Sequence, residues 1–123
     1  MEHLALLAEL SEAFGPPGGE AAVAALVREH LGAFCQIQGD RLGSILATKL
    51  GEAVQPRLLL AAHLDEIGFM VQGITPTGYL RLLPLGGWNP GLLPGQRLVL
   101  QTERGDYRPG VVAAIPYHFL KEN

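Results

Sequence analysis

The fifteen residues RLLLAAHLDEIGFMV, Arg57 to Val71, decide how the rest of the chain is read. The first half is apolar without alternation, as in a strand covered on both faces. The middle then spends His63, Asp65 and Glu66 where an apolar run needs no polar group. The pattern predicts a central strand over 57–64 that ends at His63. Side chains alternate along a strand, so His63 and Asp65 should point one way and Leu64 and Glu66 the other. Open α/β sheets place ligands at the C-terminal ends of their strands. Histidine is the commonest metal ligand, and a carboxylate beside it usually fixes its ring. Many solvated strand ends share a bare His-x-Asp spacing, so the pattern alone is weak.

Upstream, Leu4, Leu7, Leu10 and Phe14 recur at helical spacing, and "GPP" at 15–17 stops that helix, with Gly15 read as its C-cap. A second helix opens near Gly19–Glu20 with the stripe Val23, Leu26, Val27, His30 and Leu31, and ends at Gly32. His30 on that stripe reads as a core histidine. "FCQIQ", "DRLGS" and "SILATKL" then read as a hairpin. Downstream of residue 68 the character changes. "FMVQGI", "GYLRLLPL", "QRLVLQT" and "YRPGVVAAI" are short strands, separated by "TPTG", "GGWNPGLLPG" and "ERGD". Short strands with Gly/Pro turns predict a small antiparallel barrel or sandwich.

The totals set the outer bounds. A chain of 123 residues has the length of one domain, and 48% hydrophobic with 17% charged residues argues against disorder. A formal net charge of −3 argues against a basic surface for nucleic acid or anionic membranes. One cysteine, Cys35, gives no internal disulfide and points to a reducing compartment. No stretch approaches the roughly 18 consecutive apolar residues of a membrane span. "MEHLALLAEL" begins with an acid rather than the base of a secretory signal. The expectation is a soluble, cytoplasmic protein.

In order along the chain, "FGPPGGE", "DRLGSILATKLG", "LLLAAHLDEIGFMV", "GYLRLLPLGGWNP", "GQRLVL" and "PGVVAAIPYHFLK" resemble the N-terminal portion of the M42 family of metallo-aminopeptidases. The resemblance covers nearly the whole chain. It implies an α/β fold: residues 1–70 as the N-terminal part of a metallopeptidase catalytic domain, then residues 71–123 as a small antiparallel β-barrel dimerisation domain, incomplete here. It further implies two divalent metal ions, zinc or cobalt, in the complete enzyme. Peptide substrates would be cleaved at their N-termini by a homo-oligomer, a dimer or a larger assembly up to a dodecamer. By the same resemblance, His63 matches the first metal-ligand histidine and Asp65 the catalytic-site aspartate that supports it. The other ligands and the general base of the family have no counterpart up to Asn123. A catalytic zinc typically takes three protein ligands and a water, so the chain is expected to be an N-terminal fragment, inactive alone.

The alternative is a stand-alone, non-catalytic β-barrel association module. A glycosidase is excluded, because it needs two carboxyl groups roughly 5 to 9.5 Å apart across a sugar. Asp65 and Glu66 are adjacent and face opposite ways. "GPPGGE" has no P-loop lysine or spacing and reads as a helix-to-helix turn. Arg104-Gly105-Asp106 reads as a hairpin turn, Trp88 as a loop anchor, Cys35 as a small buried hydrophobe. His118 stands where the chain would leave the barrel.

Overall fold

The computed structural model describes residues 2–53 and 55–114; His118 lies outside them. Contacts divide the chain into two compact units, Met1–Gly86 and Gly87–Asn123. The first holds helices α1 (Glu2–Glu12) and α2 (Ala21–Gly32) and two hairpins, β1 (Gln36–Gly39) with β2 (Ile45–Thr48) and β3 (Gly68–Ile74) with β4 (Leu80–Leu85). The second holds a short 3-10 turn, Pro90–Leu92, and the hairpin β5 (Arg97–Gln101) with β6 (Tyr107–Val111).

All three ladders are antiparallel, as the alternating strands and Gly/Pro turns predict. One device closes each of them. In β1–β2 the Gly43 amide donates to Asp40 O, and in β3–β4 the Gly78 amide donates to Thr75 O. In β5–β6 the Gly105 amide donates to Thr102 O in the same way. Each of these glycines has positive φ, +91°, +87° and +83°, which side chains with a Cβ rarely adopt. "DRLG", "TPTG" and "TERG" are therefore the same turn written three times, and Arg104-Gly105-Asp106 is part of one of them.

Three expectations change. The strand expected over 57–64 pairs with nothing among the described residues and is unassigned chain. A strand is defined by its ladder, and an apolar run without neighbours to bond has none to form. Leu58, Leu59 and Leu60 are accordingly 85%, 80% and 84% exposed. Next, each hairpin pairs only within itself, so the described strands form antiparallel ribbons without barrel closure. Finally, His30 is no core histidine: it is exposed, and its Nε2 lies 3.2 Å from Glu9 Oε2, tying α2 to α1. The helical stripe located it correctly, but little packs on that part of the stripe. Among the described residues the only buried apolar side chains are Val23 and Ala24 of α2. Cys35 is half-buried rather than fully so. Trp88 is half-buried, and the 3-10 turn after it is capped by Asn89, whose Oδ1 accepts from the Gly91 amide at 3.0 Å.

Gly15 does not cap α1, which ends three residues earlier at Glu12. It is buried instead, because a Cβ there would stand 2.7 Å from Val23 Cγ2. The turn that follows has Pro17 and Gly18 at its centre, with Gly18 at φ +84° and the Gly19 amide donating to Pro16 O at 2.7 Å. This is the type II arrangement that Pro-Gly favours. Glu20, at the start of α2, accepts from the Gly18 amide at 2.7 Å and ties the turn to the helix.

Candidate functional site

The segment after the leucines is held from two sides. Glu66 N–H donates to Gly15 O at 2.9 Å. Gly68 lies so near the loop that a Cβ would stand 2.6 Å from Pro16 Cβ. On the other side a Cβ at Gly86 would meet Ile67 Cγ2 at 2.7 Å, and Gly86 has φ +86°. Glycines at 15, 68 and 86 thus let two other stretches of backbone, the 15–16 loop and the chain at 86, close on residues 64–68.

Within this clamp the two residues singled out from sequence come together. His63 Nδ1 lies 2.8 Å from the backbone oxygen of Asp65 and 3.3 Å from its Oδ1. A carbonyl oxygen only accepts, so Nδ1 carries the proton and donates. In the neutral ring Nε2 is then the unprotonated nitrogen, with a lone pair available to a Lewis acid. The His63 side chain is 84% exposed and that of Asp65 43%. The expected division of faces holds for this pair even though no strand forms.

One imidazole nitrogen is not a metal centre. Among the described residues no group of three or more His, Cys, Asp or Glu side chains is arranged to hold a metal ion. The donor set fits one corner of a coordination sphere, with its ring fixed by a carboxylate and a carbonyl as metal-binding histidines usually are. It does not fit a complete site for one metal or two. Glu66 is exposed beside it and contributes its amide to the clamp rather than its carboxylate.

Gly15, Pro16 and Gly68 were not singled out from sequence as part of the site. The available signal was the glycine and proline density of "FGPPGG", read as a turn between helices, together with the glycine following "LDEI". Neither stretch says that it packs on the other. A second feature, near the first hairpin, has Lys49 Nζ 5.4 Å from the centroid of the Phe34 ring. Cys35 and Thr48 line the same open depression.

The chain is similar to known proteins over most of its length. The profile of the M42 glutamyl aminopeptidase family matches residues 43–123, a span that includes His63 and Asp65. The glutamyl aminopeptidase of Lactococcus lactis is 45% identical over 87 residues, which are 70% of this chain and 24% of that protein. A TET aminopeptidase from a marine sediment archaeon of the Thaumarchaeota superposes with a TM-score of 0.89 at 38% identity, over 98% of this chain and 34% of the other. The Pyrococcus horikoshii TET1 peptidase, described as assembling into a tetrahedron or a large octahedral shell, gives a TM-score of 0.81 at 32% identity, over 98% of this chain and 36% of its own. The chain thus spans about a quarter to a third of the length of these relatives. With more than half of its residues matched by the family profile, this chain belongs to the M42 glutamyl aminopeptidase family.

Proposed function

We propose that these residues provide the first part of a metal-dependent aminopeptidase that removes N-terminal residues from peptides at a dinuclear site. The observation that carries the reading is the pair His63–Asp65, with Nδ1 2.8 Å from the Asp65 carbonyl inside the span that matches the family. In this reading His63 supplies Nε2 to one of two divalent ions, zinc or cobalt, and Asp65 fixes the ring and raises its basicity. Metal ions of this kind acidify a bound water and polarise the scissile carbonyl when present. The chain's own part is narrower: it presents one nitrogen in one tautomer at one place.

The domain reading belongs to the same proposal. Residues 1–70 serve the catalytic domain, and 71–123 are the incomplete part of a β-barrel that drives homo-oligomerisation. The exposed apolar side chains of the hairpins, among them Met70, Ile74, Val99 and Val111, support association there. A cytoplasmic setting fits the single cysteine, and among the described residues no helix is long and apolar enough to cross a membrane.

The test is to add zinc or cobalt to the purified 123-residue chain, measure bound metal by elemental analysis, and assay an aminoacyl-anilide. The expected result is no turnover and no stoichiometric pair of ions, since a single catalytic zinc takes about three protein ligands. Two tightly held ions with turnover would sink the reading of His63 as one part of a larger site.

A further inference from the structure

We infer that the Gly15 carbonyl sets the tautomer of His63, acting through a single peptide plane, so that the "GPPGG" loop is a positioning device for the site. The inference rests on the proposed role of His63 as a ligand but concerns how the ring is prepared before any metal arrives.

The argument is one of connectivity. Asp65 C=O and Glu66 N–H belong to the same peptide unit. The only cis bond among the described residues is Gln55–Pro56, so this unit is trans. In a planar trans peptide the carbonyl and the amide point in opposite directions. Glu66 N–H is fixed to Gly15 O at 2.9 Å. The Asp65 carbonyl is thereby aimed away from the loop, and it is the acceptor 2.8 Å from His63 Nδ1. The chain of bonds runs from Gly15 C=O to Glu66 N–H, then from Asp65 C=O to His63 Nδ1–H, and leaves Nε2 bare. Bonds joined in this way polarise one another in the same sense, and each reinforces the next.

The loop is itself immobilised. Gly15 is buried between Val23 Cγ2 of α2 and the backbone at Leu64 O, which would lie 2.7 Å and 3.6 Å from a Cβ there. Pro16 backs onto Gly68, and Glu20 ties Gly18 to the head of α2. α2 carries the only buried apolar side chains among the described residues. A buried corner of the first unit is thus linked by two backbone hydrogen-bonding groups to an exposed imidazole. A free imidazole in water prefers the opposite, Nε2–H, tautomer. The relay reverses that preference and presents the lone pair outward.

The test reads the His63 ring nitrogens by 15N NMR in the metal-free chain, at a pH where the imidazole is neutral. In the unsubstituted chain the ratio of Nδ1–H to Nε2–H should lie about tenfold above its free-imidazole value, enough to make Nδ1–H the major form, as one hydrogen bond at the upper end of ordinary net strength would give. Gly15→Ala, whose methyl collides with Val23, should return the ring toward the free-imidazole mixture. Gly15→Ala combined with Val23→Ala removes the colliding methyl and should restore the Nδ1–H form. A role confined to stability would lower the melting temperature in both variants without this loss and recovery. A dominant Nε2–H form in the unsubstituted chain overturns the inference. So does a folded Gly15→Ala protein whose His63 signals are unchanged. Should Gly15→Ala not fold, the double variant decides: a folded double variant with a free-imidazole mixture also overturns it. None of these readouts uses metal or turnover, so their failure is separate from failure of the aminopeptidase reading.

Discussion

Asp40 and His63 are both exposed, yet each is held by the backbone around it. Asp40 Oδ1 accepts from the Leu42 and Ser44 amides, each at 2.9 Å, and so closes the first turn from within. Hydrogen bonds from Ser44, hydroxyl and then amide, hold its carboxyl below the ordinary value near 3.8. A carboxylate whose folded value is depressed contributes stability above its unfolded value, lost as pH falls through the lower, folded one. Exchange protection of the Leu42 and Ser44 amides should therefore persist as pH falls to 3.8 and be lost only below it, as the folded carboxyl takes up its proton. Asp40→Asn should remove that acid step, and a carboxyl titration of Asp40 centred at or above 3.8 would contradict the assignment. At His63 the backbone does much of the holding, since Nδ1 is nearer the Asp65 carbonyl than its Oδ1. In a full-length enzyme carrying this sequence, His63→Ala should abolish activity. Asp65→Asn, which keeps the carbonyl, should cost about tenfold in metal affinity, the low end of the range for such partners. A loss nearer a thousandfold would make Asp65 a direct ligand. The pair was legible in the sequence because a polar interruption of an apolar run is visible at that level. The clamp was not, because Gly15 and Glu66 are distant in sequence and meet through main-chain atoms that every residue has.

At the scale of elements, the shared turn gives a matched pair of tests. Thr75 Oγ1 accepts from the Tyr79 amide at 2.9 Å and lies 3.1 Å from Thr77 Oγ1, while Thr102 Oγ1, at the same place in the third hairpin, is buried with no hydrogen-bond partner among the described residues. Thr75→Val should destabilise its hairpin by about 1 kcal/mol, and Thr102→Val should be neutral or stabilising. Amide exchange across each ladder measures both, and equal losses would refute the distinction. Glycines give a second contrast. Gly86→Ala should cost about 1–2 kcal/mol from its left-handed backbone alone, and the contact with Ile67 adds to it. Gly32→Ala, at the end of α2 with no atom near its missing Cβ, should instead stabilise the helix by about 0.5–1 kcal/mol. Thermal melts followed by helix ellipticity separate the two signs. Helices and hairpins were readable because their periodicity and their turn chemistry are local: Leu4, Leu7 and Leu10 mark one, and Gly43, Gly78 and Gly105 punctuate the others. The strand expected over 57–64 was not realised because a ladder needs a second chain segment, and no local pattern can supply one.

The molecule as a whole carries more exposed apolar surface than a self-sufficient domain would. Leu58, Leu59 and Leu60 stand open in the first unit, and Val99 and Val111 lie on one exposed face of the β5–β6 ribbon. Surfaces of this kind mark sites of association. Sedimentation at high micromolar concentration should show dimers or larger species, and Leu59→Lys should reduce the share beyond the dimer. A single monomeric species would count decisively against association. The four-residue turns also bear on how the protein is made. A ribbon whose strands are separated by five residues closes in about 1–10 μs, while a ribosome adds about 5–20 residues each second. Each of the three ribbons can therefore form as soon as its second strand leaves the exit tunnel, in the order of synthesis and without waiting for distant partners. The leucines at 58–60 have no such local escape, and they emerge between the first ribbon and the second. From the moment they are made they remain open apolar chain, waiting on a partner that no neighbouring turn can bring.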